Sequence, residues 1–369
     1  MAAGGHRDIP PSATPISPGA VARVAGRRRP GGGRSAAHAA ADADAFPTYA
    51  DLLRWPLQFL LVALIWGASF MFIKVELDAG IAPVHVALMR CVLGGAALLA
   101  IAVALRERLP RDRALYGHLV VIALLMNALP FLLFAYGETQ VSSLLAGIFN
   151  ATTPLLTLVF SLTVLPEERP TPQRIAGLVL GFCGVLVVLA PWTGLGGGSL
   201  AGSLACLGAA ACYGLAFPYM RRHLSGRPES SVVVSTVQVT LGALLLLPVA
   251  PLGALPDSVP GADAWLSMLA LGALGTGVAY IMNFNVIRAA GAQTASMVTY
   301  LVPVFAVVFG VTILGEEIGW HEPAGAVLII AGVALSQGLL RRPRARVAAG
   351  AGPAAHPTGS RSEPGRNRA

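Results

Sequence analysis

Charge is scarce in this chain. Asp, Glu, Lys and Arg make up only 12% of its 369 residues, about half their share in a soluble globular domain. With 55% apolar residues, such a chain cannot cover itself with water-compatible surface, and a lipid bilayer is its natural solvent. Cysteine is sparse as well. Cys91, Cys183, Cys206 and Cys212 all fall inside apolar runs and show no Cys-x-x-Cys spacing. No disulfide framework or thiolate metal site is expected, and the four read as small buried apolar side chains. The catalytic signatures are missing too: no His-Glu-x-x-His, no Gly-x-Ser-x-Gly, no Walker lysine motif. No enzyme activity, cofactor or bound metal is therefore expected. No apolar signal-peptide core opens the chain, so no cleaved leader is predicted. An Arg-rich transit peptide fits poorly, because Asp8, Asp42 and Asp44 interrupt the basic stretch.

Residues 1–50, rich in Ala, Gly, Pro and Arg, and residues 345–369 lack apolar periodicity and are predicted to be disordered tails. Between them lie ten apolar runs, at 57–76, 82–105, 115–136, 139–163, 171–191, 200–221, 231–250, 264–285, 292–314 and 322–340. Runs of about 20 residues span about 30 Å of hydrocarbon as helix, and lipid leaves the backbone no partner but itself. The predicted fold is all-α and integral to the membrane, with ten transmembrane helices.

The formal charge of +8 could suggest nucleic acid, but the placement of the charges argues otherwise. If the N-terminus is cytoplasmic, 24 of the 26 Lys and Arg residues fall in the tails and inner loops. The exceptions are Lys74 at a helix end and Arg90 within a span. This is the positive-inside pattern. It predicts a multi-pass protein of the cell (inner or plasma) membrane with both termini cytoplasmic.

The chain also repeats itself. Trp66-Gly-Ala-Ser-Phe-Met-Phe-Ile-Lys74 parallels Tyr213-Gly-Leu-Ala-Phe-Pro-Tyr-Met-Arg221. Arg90-x3-Gly94 parallels Gln238-x3-Gly242, and Ala146 with Pro154 parallels Ala295 with Pro303. Glu168, Gly177 and Gly184 recur as Glu316, Gly325 and Gly332. The offsets run from 147 to 149 residues. Five spans per half is an odd number, so the second half enters the bilayer from the other side. Inverted repeats of this kind mark secondary transporters, with the solute site near the midplane between the halves.

These residues give a family resemblance. Leu64-Ile-Trp-Gly-Ala-Ser-Phe, Pro83-x6-Arg90, Asn127-x2-Pro130-Phe, Ala146-x7-Pro154, Tyr300-Leu-Val-Pro303 and the acidic turns before Gly177 and Gly325 resemble the EamA-like branch of the drug/metabolite transporter superfamily, over residues 57–340. Two departures stand out. Pro166-Glu167-Glu168 replaces the usual Gly-Glu pair, and Gln238 stands where the second half would repeat Arg90. The resemblance implies two five-helix domains, 57–191 and 200–340, that export or exchange amino acids, other small metabolites or drugs. Its partners would be a small-molecule solute and the bilayer, not nucleic acid, and it leaves room for a homodimer. A membrane-embedded enzyme acting on a lipid-linked substrate is the alternative, but the short Arg-rich inner loops offer it few acids or bases.

Arg90 is the sharpest candidate site residue. It lies seven residues past Pro83, about 10 Å into the membrane, where a charge must face a cavity or a partner. It either binds a solute carboxylate or phosphate, or forms a fixed ion pair with Glu76, Glu138 or Glu316. Asn127, Asn150, Gln238, Asn283, Thr299 and Tyr300 are polar groups within apolar spans, and line a cavity or bond helices together. Thr152, Thr153 and Asn285 belong to the same class. Trp66, Tyr136, Tyr213 and Tyr280 are candidate aromatic walls. Pro154 and Pro303 should kink or hinge their helices. Gly177-x3-Gly181 and Gly272-x2-Gly275-x-Gly277 read as close-packing sites rather than phosphate loops. No Asp or Glu occupies the middle of a span, so proton coupling, where present, would use peripheral groups such as Glu76, Glu138 or His85.

Overall fold

The computed structural model describes residues 49–164, 171–190, 199–224, 227, 229–290 and 298–336. Most of both expected tails, the Glu168 turn and Ala295 lie outside these. The chain divides into Met1–Leu52, of which only the first residues of a helix are described, and Leu53–Ala369, which holds the rest of that helix and every other described element.

Every described element is helical. They are α1 (Tyr49–Asp78), α2 (Pro83–Ala104), α3 (Arg113–Glu138), α4a (Ser143–Asn150), α4b (Thr153–Val164), α5 (Pro172–Leu189), α6 (Leu200–Leu224), α7 (Ser231–Leu246), α8 (Ala262–Ala290), α9 (Val298–Thr312) and α10 (His321–Ser336). Polar caps set several starts. Asp112 Oδ1 accepts from the Ala114 amide at 2.9 Å before α3, and Ser142 Oγ accepts from the Leu145 amide at 3.2 Å before α4a. Thr171 and Ser230 do the same for α5 and α7. Pro248 bars α7 from continuing.

Seven segments are long and apolar enough to cross a membrane: Trp55–Asp78, Pro83–Ala104, Arg113–Glu138, Ser143–Thr163, Pro172–Leu189, Leu200–Leu224 and Ala262–Asn283. The expected spans at 231–250, 292–314 and 322–340 appear as shorter apolar helices, Ser231–Leu246, Val298–Thr312 and His321–Ser336. Leu99, Val179, Leu186, Leu204, Leu244, Val304 and Val327 are among many large apolar side chains that face outward. In water such a surface would be prohibitive; in lipid it is matched to its solvent. Cys183 is among the exposed groups while Cys91 and Cys206 are buried. The expectation that all four cysteines are buried fails at Cys183 and holds only in part at the half-buried Cys212, because an apolar side chain gains nothing from facing inward when lipid lies outside.

The two halves meet through equivalent residues. A Cβ on Gly177 of α5 would lie 2.5 Å from the Gly332 carbonyl of α10, and one on Gly184 would lie 2.8 Å from the Gly325 carbonyl. Gly177 is the repeat mate of Gly325, and Gly184 of Gly332, so the helices cross antiparallel about a local two-fold. Other contacts obey the same relation. Gly94 of α2 faces Thr276 of α8, and its mate Gly242 of α7 faces Asn127 of α3.

Helices α3 and α8 each contain a π-helical stretch at equivalent positions, Leu124–Ala128 and Ala270–Val278. Such widened turns loosen the i→i−4 ladder and often mark functional sites. The prolines behave unequally. At Pro154 the fourth span breaks into α4a and α4b, with Thr152 bonding back to the Phe149 carbonyl at 2.7 Å through its hydroxyl. At Pro303 α9 runs on unbroken.

Asp112 and Arg227 join the start of α3 to the segment after α6, with Arg227 Nη1 donating to Asp112 Oδ2 at 2.8 Å. That bond, together with the Ala114 amide, holds the Asp112 carboxyl below its usual value. A lowered folded-state pKa contributes stability that is present above the unfolded value and lost as pH falls through the folded one. Wild type and Asp112→Asn should therefore differ by a constant amount from pH 5 to pH 8 and converge only in stronger acid, as read by thermal unfolding across pH.

Candidate functional site

A cavity of about 130 Å³ lies between the repeats. Trp66, Ser69 and Phe70 of α1 form one side and Phe131 and Phe134 of α3 another, with Tyr213 and Phe217 of α6 and Tyr280 of α8 opposite them. The aromatic rings brace one another. Trp66 meets Tyr280 edge-on with centroids 6.4 Å apart, Phe70 meets Phe134 edge-on at 5.4 Å, and Phe134 lies 6.1 Å from Tyr213. The Trp66 indole is fixed by donating to the Gly275 carbonyl at 3.1 Å, within the π stretch of α8. The polar rim comprises Ser69, Asn150, Thr153 and Thr299. Thr153 Oγ1 is buried and has no hydrogen-bond partner among the described residues.

Among the described residues, Arg90 is the one charged group lining this cavity. Its guanidinium carbon lies 4.0 Å from the centroid of the Phe131 ring, and its Nε donates to Thr276 Oγ1 at 3.2 Å. Stacking and hydrogen bond fix the plane of a group that lines the cavity. The expected alternative, a fixed ion pair, is not formed with any described carboxylate. Glu316 is engaged by Ser143 and Leu144. Glu76 and Glu138 are fully buried, and their oxygens have no hydrogen-bond partner among the described residues. The fork forms no salt bridge with a described carboxylate, although its charge acts on the buried Glu76 and Glu138, and it has the chemistry to receive an anion.

The second repeat repeats this geometry without the charge. Gln238 Nε2 donates to Asn127 Oδ1 at 2.9 Å, and both side chains are buried. Gln238 is the mate of Arg90, and Asn127 of Thr276. The departure at Gln238 thus keeps the interhelical bond and drops the cation, so the two-fold frame holds a site of one sign. Gln238→Leu should strand Asn127 and cost about 1–2 kcal/mol of stability, measured by thermal unfolding in detergent.

Of the eight sequence candidates, the structure brings Arg90, Trp66, Asn150 and Thr299 together on the cavity wall. Asn127 and Gln238 bond to each other behind it. Asn283 and Tyr300 are outside the lining, with Tyr300 packed against the core that contains Phe149 and Val302. Tyr136 is 44% exposed and is not a wall. It sits two residues from Phe134, which turns it to the far side of the helix. Ser69, Phe131 and Phe134 were missed, although helical spacing could have found them: Ser69 follows Trp66 by one turn, and Phe134 follows Phe131 by one turn.

The sequence model of the EamA-like transporter family matches this chain twice, over residues 53–190 and 200–337. The chain belongs to this family. Similar proteins include the uncharacterised transporter YoaV of Bacillus subtilis (strain 168), 28% identical over 282 residues that cover 75% of this chain and 94% of YoaV. Protein PagO of Salmonella typhimurium is 26% identical over 284 residues, covering 76% of this chain and 91% of PagO. A protein of known crystal structure shares the fold with a TM-score of 0.55 at 21% identity, covering 78% of this chain and 98% of its own. The chain is thus a multi-pass membrane protein of a transporter family, with two repeats of one helical pattern.

Proposed function

We propose that this protein carries small organic anions across the cell membrane, as an exporter or exchanger, by alternating access to the Arg90 cavity. Its frame is ten spans in two inverted five-helix domains, 57–191 and 200–340. The three shorter helices α7, α9 and α10 count as spans in this reading because each is the repeat mate of a longer element, α2, the α4a–α4b pair and α5. The distribution of basic residues over the tails and alternate loops of the sequence supports cytoplasmic termini in this reading. A homodimer would leave one complete cavity inside each chain.

The observation that carries the reading is Arg90, stacked and oriented but unpaired among the described residues, in an aromatic cavity where the repeats meet. An anion binds the fork, and an apolar or aromatic body fills the cage of Trp66, Phe134, Tyr213 and Tyr280. Asn150 and Thr299 sit opposite as mates across the two-fold and supply polar contacts to the solute. No carboxylate among the described lining residues offers a counter-charge for a cationic solute.

Proteoliposomes test this with labelled probes of one size and different charge. Benzoate, phenylacetate and phenyl phosphate should enter with saturable kinetics, whereas benzylamine and benzamide should not. Equal entry of amine, amide and carboxylate, or saturable entry of benzylamine alone, would overturn the reading.

A further inference from the structure

The chemistry outside the cavity concentrates at the end of the bundle that holds Glu76, Glu138 and Glu316. Glu138 closes α3, one turn beyond the cavity residue Phe134 and on the same face. It therefore stands between the cavity and that end of the bundle. Its side chain is wholly buried, and neither oxygen has a hydrogen-bond partner among the described residues. The groups whose charge acts on it are Lys74 and Asp78 of α1, Arg90 of α2 and Glu316 beyond α9, and the Cys206 thiol of α6 feels Glu138 in turn. Lys74 is already paired with Asp78 at 3.1 Å. No cation is dedicated to Glu138, and an ionised carboxylate so placed would be strongly disfavoured.

Glu316 is the opposite case. Gly315, at φ +66°, makes the turn that points it back to the first repeat. Its carboxylate accepts from the Ser143 amide at 2.7 Å, the Ser143 hydroxyl at 3.0 Å and the Leu144 amide at 3.0 Å. These donors form the N-terminus of α4a, where negative charge is favoured. The docked anion ties the segment after α9, in the second repeat, to α4a in the first. Gly310 leaves the space in which it lies.

We propose that Glu138 is a proton-binding site whose occupancy controls this latch. A charge on Glu138 is opposed by that of Glu316, with little nearby to offset it. With the proton on Glu138, Glu316 docks as the anion and the end is closed. Release of that proton sets a second negative charge against Glu316 and drives the latch off the α4a N-terminus. By linkage, undocking of Glu316 equally favours release of the proton. The latch's role in closing one end of a solute path rests on the proposed carrier function; the proton site does not.

The test uses the full chain in lipid nanodiscs, with the native cysteines replaced and spin labels at Thr139→Cys and Ile318→Cys, both exposed positions flanking the latch. The probe is the proton alone. Pulsed electron resonance should show one short distance in acid and a longer population that grows as pH rises. Glu138→Gln should hold the short distance at every pH, and Glu316→Ala should show the long one at every pH. A short distance in Glu138→Gln equal to that of wild type in acid also reports a folded variant. Infrared spectra of the wild type supply a second measurement, in which a protonated-carboxyl band should disappear over the pH range where the latch opens. A wild-type distance indifferent to pH, a Glu138→Gln variant that keeps the wild-type response, or the absence of that band overturns the proposal. None of these readouts depends on solute movement, so failure of the uptake panel alone would sink the carrier reading and leave the proton site standing.

Discussion

Arg90→Ala should leave the protein folded in the membrane and abolish carriage of carboxylates. Among the described residues the side chain makes one hydrogen bond, to Thr276, and one stacking contact, to Phe131. Losing both costs little stability, because cavity-lining groups are incompletely packed. Losing the cation costs the solute the one charged group that lines the cavity among the described residues. Charged hydrogen bonds in desolvated sites contribute about 2–4 kcal/mol, or roughly 30- to 700-fold in affinity. Arg90→Lys should recover part of this at most. An ammonium has no plane to stack on Phe131, and it cannot hold Thr276 and a carboxylate in one fork. The checks are saturable benzoate uptake beside thermal unfolding. Full uptake by Arg90→Ala would refute the role.

Gly177→Val and Gly332→Leu should have the largest effect on folding. The seam of α5 and α10 has backbone on both sides. A Cβ on Gly177 would lie 2.5 Å from both the Gly332 carbonyl oxygen and the Ser336 amide nitrogen, and one on Gly332 would lie 2.5 Å from the Gly181 amide. Neither neighbour can rotate away as a side chain can. The helices must separate, and small-residue contact is what joins helices in lipid. Overpacking costs about 3 kcal/mol where it forces the backbone to move, enough to deplete the folded fraction of a marginal protein. Gly117 makes a control on the same scale, since a Cβ there meets nothing within 4 Å. Gly117→Ala should be neutral or slightly stabilising. Monodisperse yield in size-exclusion chromatography separates the cases. A monodisperse Gly177→Val of wild-type melting temperature would contradict the seam.

Much of this architecture was legible as pattern. Hydrophobic runs located the helices, and the repeat paired Gly177 with Gly325 before any contact was known. Arg90 was legible because a lone charge in an apolar span has few uses. Three features were not. Which polar residues face a cavity depends on helix phase, and Asn127, next to the lining residue Met126, bonds to Gln238 instead. Tyr136 has the chemistry of a wall and the wrong phase. The burial of Glu76 and Glu138 depends on neighbours from α2, α6 and the segment after α9, which sequence spacing does not show. These acids lie near the ends of their helices, as expected, and both are fully buried there.

A single cavity presented alternately to the two sides of the membrane is tested most directly by trans-acceleration. Proteoliposomes are loaded with unlabelled benzoate, and the initial entry rate of labelled benzoate is compared with that into empty vesicles. A carrier whose loaded cavity reorients faster than its empty one predicts several-fold faster entry into loaded vesicles, an acceleration absent in Arg90→Ala. Entry that is linear in concentration and indifferent to the contents of the vesicle would contradict alternating access.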